Sequence, residues 1–406
     1  MLTRASFPGR SLDPIPWTTY FERELFLPAP DGSITYHAYL TSPAPSSGPG
    51  KPPGPLFVTH HGAGSSGLSF AVLSAEIRKR LPSAGILSLD ARGHGLTTTA
   101  RGEEDAPAAA EDLTLATLAS DLLAILRLTR SAMHWPALPP LLLVGHSLGG
   151  AVVTEFASVL LSSLSSQPPA PTPAPPPTTT PMSIATGATK ATLPQRSPPA
   201  AGNDPGLSST QPPPPASPED QPKIDLLGYA VLDVVEGSAL DALQSMHAYL
   251  ATRPAGFETL RDGVEWHVRS RTVRNAVSAR ASVPGLLVCA QSPESDSEGG
   301  AGGAGVGGGG GQLEEEGQEA VEGKEKGGKP WRWRTDLART QPFWEGWFGG
   351  LSGKFLRGRG GKMLLLAGTD RLDTELTIGQ MQGWFFSSSS VFLLFLSLCC
   401  LVRVIN

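Results

Sequence analysis

Apolar and polar positions along this chain repeat one unit: a short apolar run, a loop carrying Gly, His or Asp, then a helical pattern. Residues 55–59 (PLFVT) run into His60-His61-Gly62-Ala63-Gly64, and Gly85–Asp90 (GILSLD) runs into Ala91-Arg92-Gly93-His94-Gly95. Leu115, Leu118, Leu122 and Ile125 recur at helical spacing just ahead of a third apolar run, 141–144. Residues 227–232 lead into Asp233, and 284–289 and 362–367 are two further buried-strand candidates. Short apolar strands alternating with helices predict an α/β fold with a mostly parallel central sheet covered on both faces. Such sheets bind ligands at the carboxyl ends of their strands, and the Gly/His/Asp loops all fall at that end.

Composition changes this picture in three places. Residues 161–222 are dominated by Pro, Ser, Thr and Ala, and 291–330 mix a glycine run with acidic and lysine clusters. Neither buries enough apolar surface to offset chain entropy, so both are expected to be disordered insertions. The alternative for the first is a ligand for proline-binding modules. Residues 384–406 form an atypical apolar tail. Without these segments, 1–383 has a length suited to a single α/β domain of this kind.

The formal charge of −5 comes with no basic stripe, so no nucleic-acid partner is expected; the cluster over 354–362 reads as a solvated loop. Three cysteines, Cys289, Cys399 and Cys400, make neither a metal spacing nor a disulfide framework. The first ten residues have no apolar core, so no signal peptide is expected and the cytoplasm or nucleus is the default compartment.

The chemistry concentrates at Gly145-His146-Ser147-Leu148-Gly149, with an apolar strand before it and a helical pattern after it. That is the nucleophile elbow, a turn so tight that small residues must flank a strained serine. Ser147 is the candidate nucleophile. The candidate oxyanion donors are the backbone N–H groups of Leu148, next to the nucleophile, and of Ala63, in the loop after the early strand. For the acid, the pattern leaves Asp233 and the pair Asp370 and Asp373 in competition. The base is harder to place. This fold orders its triad Ser, acid, His, yet the eight histidines (37, 60, 61, 94, 134, 146, 247 and 267) all precede Asp370. His146 belongs to the elbow, His61 to the oxyanion loop and His94 to an earlier loop. His247 and His267 fall in helical, cap-like sequence and read as surface or cap residues.

Several stretches resemble the protein phosphatase methylesterases, an α/β-hydrolase family. They are Asp233-Val-Val-Glu-Gly-Ser-Ala-Leu-Asp-Ala-Leu243, Val264-Glu-Trp266, Arg274-Asn275-Ala-Val-Ser-Ala-Arg280, residues 333–356, residues 364–373 and Gly379-Gln-Met-Gln-Gly383. The resemblance implies an α/β-hydrolase fold with a helical cap. It also implies a serine esterase that removes the methyl ester from the carboxy-terminal leucine of the protein phosphatase 2A catalytic subunit. It makes Asp233 the triad acid and implies no metal or organic cofactor.

The likeness stops at Gly383. The family continues with a strand and a Gly-His pair that supplies the base, whereas this chain reads Trp384-Phe-Phe-Ser-Ser-Ser-Ser and runs on apolar. The last strand and helix and the catalytic histidine are therefore expected to be absent. Phe, Ser, Leu and Cys are pyrimidine-codon residues, which points to a translated intron. Three other readings follow: a phosphatase-binding protein that turns over poorly, a tail-anchored hydrolase-like protein spanning a bilayer with 384–402, and a generic esterase for small lipophilic esters.

Overall fold

Arg23–Pro28 (β1) and Ile34–Thr41 (β2) form an antiparallel pair in register from Arg23 opposite Leu40 to Pro28 opposite Thr35. The hydrophobic pattern does not flag this pair, because β2 buries polar His37 among its apolar residues. Leu56–His60 (β3) and Gly85–Asp90 (β4) are buried along their whole lengths, as the apolar runs predict. Thr98–Thr99 (β5) pairs with β2. Leu141–His146 (β6), Leu226–Leu232 (β7), Gly361–Leu365 (β10) and Phe386–Ser388 (β11) complete the main sheet, while Leu287–Cys289 (β8) and Trp331–Trp333 (β9) pair with each other in a sheet of two.

The main sheet runs β1-β2-β4-β3-β6-β7-β10-β11, parallel from β4 to β11 and antiparallel only where β2 joins. The structure, a computed structural model, describes residues 11–48, 51–100, 111–162, 224–290, 329–367 and 372–388. The described residues all belong to one compact unit of the chain. Residues 163–222 and 291–328 of the expected insertions, Asp370, and the tail from 389 onward also lie outside the described residues.

Parallel strands are joined by crossovers, and the helices that make them cover both faces. The helices are Ala71–Arg80 (α1), Leu115–Ala132 (α2), Leu148–Glu155 (α3), Glu236–Thr252 (α4), Leu260–Arg269 (α5), Ala276–Ser282 (α6), Trp344–Phe348 (α7), Leu351–Arg357 (α8) and Thr374–Met381 (α9). Successive residues of a strand point to opposite faces, so neighbours feed different cores. Leu56, Val58, Leu141 and Leu143 join the core under α2 and α3, with Leu118, Leu122, Ile125 and Val152. Phe57, Leu142 and Val144 join the core on the other face with Ala71, Ile77 and Ala281. A third, smaller core of Phe257, Val264, Ala279, Val283 and Leu287 holds the helical region after β7.

Three expectations change. Residues 284–289 are not a buried strand of the central sheet: Val283–Gly285 is a 3-10 turn, and β8 pairs only with β9 and leaves Val288 exposed. The basic cluster is not a solvated loop, since Lys354 lies in α8, 2.8 Å from the carboxylate of Glu155. Phe386–Ser388 pairs in parallel with Met363–Leu365 of β10, so a short strand occupies the place next to β10. No described helix is long and apolar enough to cross a membrane.

Candidate active site

β6 ends at His146 and α3 begins at Leu148, leaving Ser147 alone to reverse the chain. It does so at φ 53° and ψ −121°, a conformation that L-residues rarely adopt and that costs on the order of 1–3 kcal/mol. The surrounding backbone enforces it. Ser147 N–H donates to Leu232 O at 3.1 Å, and its carbonyl accepts from Gly150 N–H at 2.8 Å. The two flanking glycines are required by contact: a Cβ at Gly145 would meet Gly149 O at 2.1 Å.

The loop after β3 lies against this turn. A Cβ at Gly62 would sit 3.1 Å from Ser147 Cβ and 3.2 Å from His146 Nδ1. Among the described residues, the N–H groups of Ala63 and Leu148 have no hydrogen-bond acceptor. Two unfilled donors therefore flank the serine, one at the start of α3, where the helix dipole also favours negative charge.

Asp233 follows β7 directly and is held at φ 53°. Its N–H donates to Leu365 O at 2.7 Å, and its Oδ1 accepts from Ala367 N–H at 3.1 Å, so the end of β10 orients the carboxylate. Asp373 is engaged elsewhere: it caps α9 by accepting from Leu376 N–H and also accepts from the Ser352 hydroxyl.

All eight histidines lie among the described residues, and none hydrogen-bonds the Ser147 hydroxyl there. His37 Nδ1 bonds Asp90 at 2.8 Å inside the sheet. His60 and His61 are buried, each with Nδ1 on a backbone carbonyl. His267 is buried within α5 on Gly263 O, whereas His247 lies exposed beside Trp344 and His134 is exposed after α2. His146 stands at the exposed end of β6; desolvation lowers its pKa, and the nearby Asp233 charge opposes that shift.

One wall of the site had no signal in the sequence. The segment after β9 crosses over the loop after β3: Leu337 packs so close to Gly64 that a Cβ there would be 2.7 Å from its Cδ1, and the Thr335 hydroxyl donates to Gly93 O at 3.1 Å. These contacts join positions about 240 to 270 residues apart, beyond the reach of any local pattern. No group of three or more His, Cys, Asp or Glu able to hold a metal occurs among the described residues.

A strained serine on a strand-to-helix turn, two open N–H donors and an oriented carboxylate is the equipment of acyl transfer. Comparison with known proteins agrees with that chemistry. Residues 56–388 match the alpha/beta hydrolase family. A Neurospora crassa protein named protein phosphatase methylesterase 1 is 54% identical over 403 residues, covering 93% of this chain and 70% of that protein. Proteins of the same name from Gibberella zeae and Bos taurus are 48% and 34% identical, covering 92% and 93% of this chain and 68% and 80% of their own lengths.

Proposed function

The chain belongs to the protein phosphatase methylesterases of the alpha/beta hydrolase family, and from that premise we propose that Ser147 is its nucleophile, Asp233 its triad acid, and the N–H groups of Leu148 and Ala63 its oxyanion donors. The substrate is the methyl ester at the carboxy-terminal leucine of the protein phosphatase 2A catalytic subunit, which is also the partner. The observation that carries this reading is the φ of 53° at Ser147 beside two N–H groups without acceptors.

The reaction is a two-step acyl transfer. The Ser147 hydroxyl oxygen attacks the ester carbonyl carbon, and the negative charge that develops on the carbonyl oxygen is met by the two N–H groups. The carbon–methoxy bond breaks, the serine proton passes to the departing methanol, and an acyl-serine remains. Water then attacks the acyl carbon, releasing the free carboxylate and restoring the serine. No step in this sequence calls for a metal or an organic cofactor.

Among the described residues no histidine hydrogen-bonds the Ser147 hydroxyl, and an oxyanion hole with substrate binding alone sustains about 10³–10⁴-fold catalysis over water. The test is methanol release from a peptide ending in leucine methyl ester, compared with Ser147→Ala. Slow release that the substitution abolishes supports the proposal. A chain that prefers short-acyl nitrophenyl esters to the peptide overturns it in favour of a generic esterase.

A further inference from the structure

His61 and His94 are buried imidazoles with ring centroids 5.1 Å apart, and neither belongs to the triad. His94 places Nδ1 2.8 Å from Arg92 O, and His61 places Nδ1 2.7 Å from Gly62 O. A carbonyl only accepts, so each ring carries its proton on Nδ1, and each Nε2 is left as an acceptor. Both acceptors are used. His94 Nε2 takes the Gly64 N–H at 2.9 Å, and His61 Nε2 takes the Ala91 N–H at 3.0 Å. The two bonds run in opposite directions between the oxyanion loop and the loop after β4, a reciprocal brace.

The brace acts on the two peptide planes that flank Ala63. The first contains Gly62 C=O and Ala63 N–H, which point opposite ways because the unit is planar and trans. Fixing Gly62 O with the His61 Nδ1–H, and with the Ser65 N–H at 3.1 Å, therefore aims the Ala63 N–H. The second plane contains Ala63 C=O and Gly64 N–H, and His94 Nε2 holds that N–H. Leu337 also packs against Gly64.

We infer that His61 and His94 are positioning residues that jointly set the direction of the Ala63 N–H, so that the second oxyanion donor is preorganised by two neutral imidazoles. The inference rests on the proposed oxyanion role of Ala63.

Two variants of the full chain test it. His94→Gln returns an amide oxygen near the place of Nε2, whereas His94→Phe keeps a ring without either nitrogen. In the parent, NMR should show a through-bond nitrogen–nitrogen coupling between Gly64 N and His94 Nε2. In His94→Phe the Ala63 amide resonance should move and the rate constant for reaction of Ser147 with a fluorophosphonate should fall about 10-fold or more, with probe affinity unchanged. In His94→Gln both should return most of the way. Absence of the coupling, or parental reactivity in His94→Phe, overturns the inference. A parent inert toward the probe counts against Ser147 as nucleophile instead; the brace is then judged on the coupling and on the Ala63 resonance in the two variants.

Discussion

Gly149 in α3 touches the backbone of His60 at the end of β3: a Cβ at 149 would lie 2.0 Å from His60 O and 2.7 Å from His61 O. The helix that follows Ser147 and the strand that feeds the Ala63 loop thus meet backbone to backbone, with no side chain between them.

Gly149→Ala is therefore predicted to damage both halves of the site at once. A side chain at 149 would meet main-chain atoms of His60 and His61, so the helix itself must move, and overpacking of this kind costs about 1–3 kcal/mol or more. Urea unfolding should show that loss, and labelling of Ser147 should fall with it. Parental stability would mean that the contact relaxes freely.

The strain at Ser147 has a measurable counterpart. Positive φ favours glycine, so Ser147→Gly should be more stable than Ser147→Ala by about 1 kcal/mol. That reverses the usual order, because glycine ordinarily loses to alanine through backbone entropy. Comparing the two variants by thermal denaturation checks it; alanine at or above glycine would argue against a strained elbow.

Acid should weaken the fold through its buried histidines. Burial pulls His60 to about 4 and His61 to about 3, and for His61 the nearby His94 and His60 add to the effect while Asp90 opposes it. Unfolded, both titrate near 6.5. Above pH 6.5 both states hold them neutral. Below it the unfolded chain takes up protons that the folded chain refuses, so stability falls from about 6.5 down toward the folded values, by at most about 1.4 kcal/mol per pH unit for each histidine. Burial lowers His94 as well. The melting temperature should be lower at pH 5 than at pH 7.5; equal values would contradict neutral, buried imidazoles.

Much of this was legible because local rules and global packing agree. The apolar runs at 85–90 and 141–144 are strands because both faces are covered, and Gly145 and Gly149 mark the elbow because only a missing Cβ permits it. The β1–β2 pair was not legible, since its buried polar His37 is satisfied by Asp90, 53 positions away. The strand at 284–289 misled because an apolar run does not say which sheet it joins. Leu337 over Gly64 and the His61–His94 brace depend on loops meeting in space, and the pattern placed both histidines in loops without showing what they hold.

Ser147 is proposed as a nucleophile held ready by the elbow and its open donors. The most direct measurement is labelling of the 406-residue chain by a fluorophosphonate, with the modified residue located by mass spectrometry and Ser147→Ala as the control. Labelling at Ser147 that vanishes in the control is expected. Labelling that survives Ser147→Ala, or none in a chain shown by circular dichroism to be folded, would contradict it.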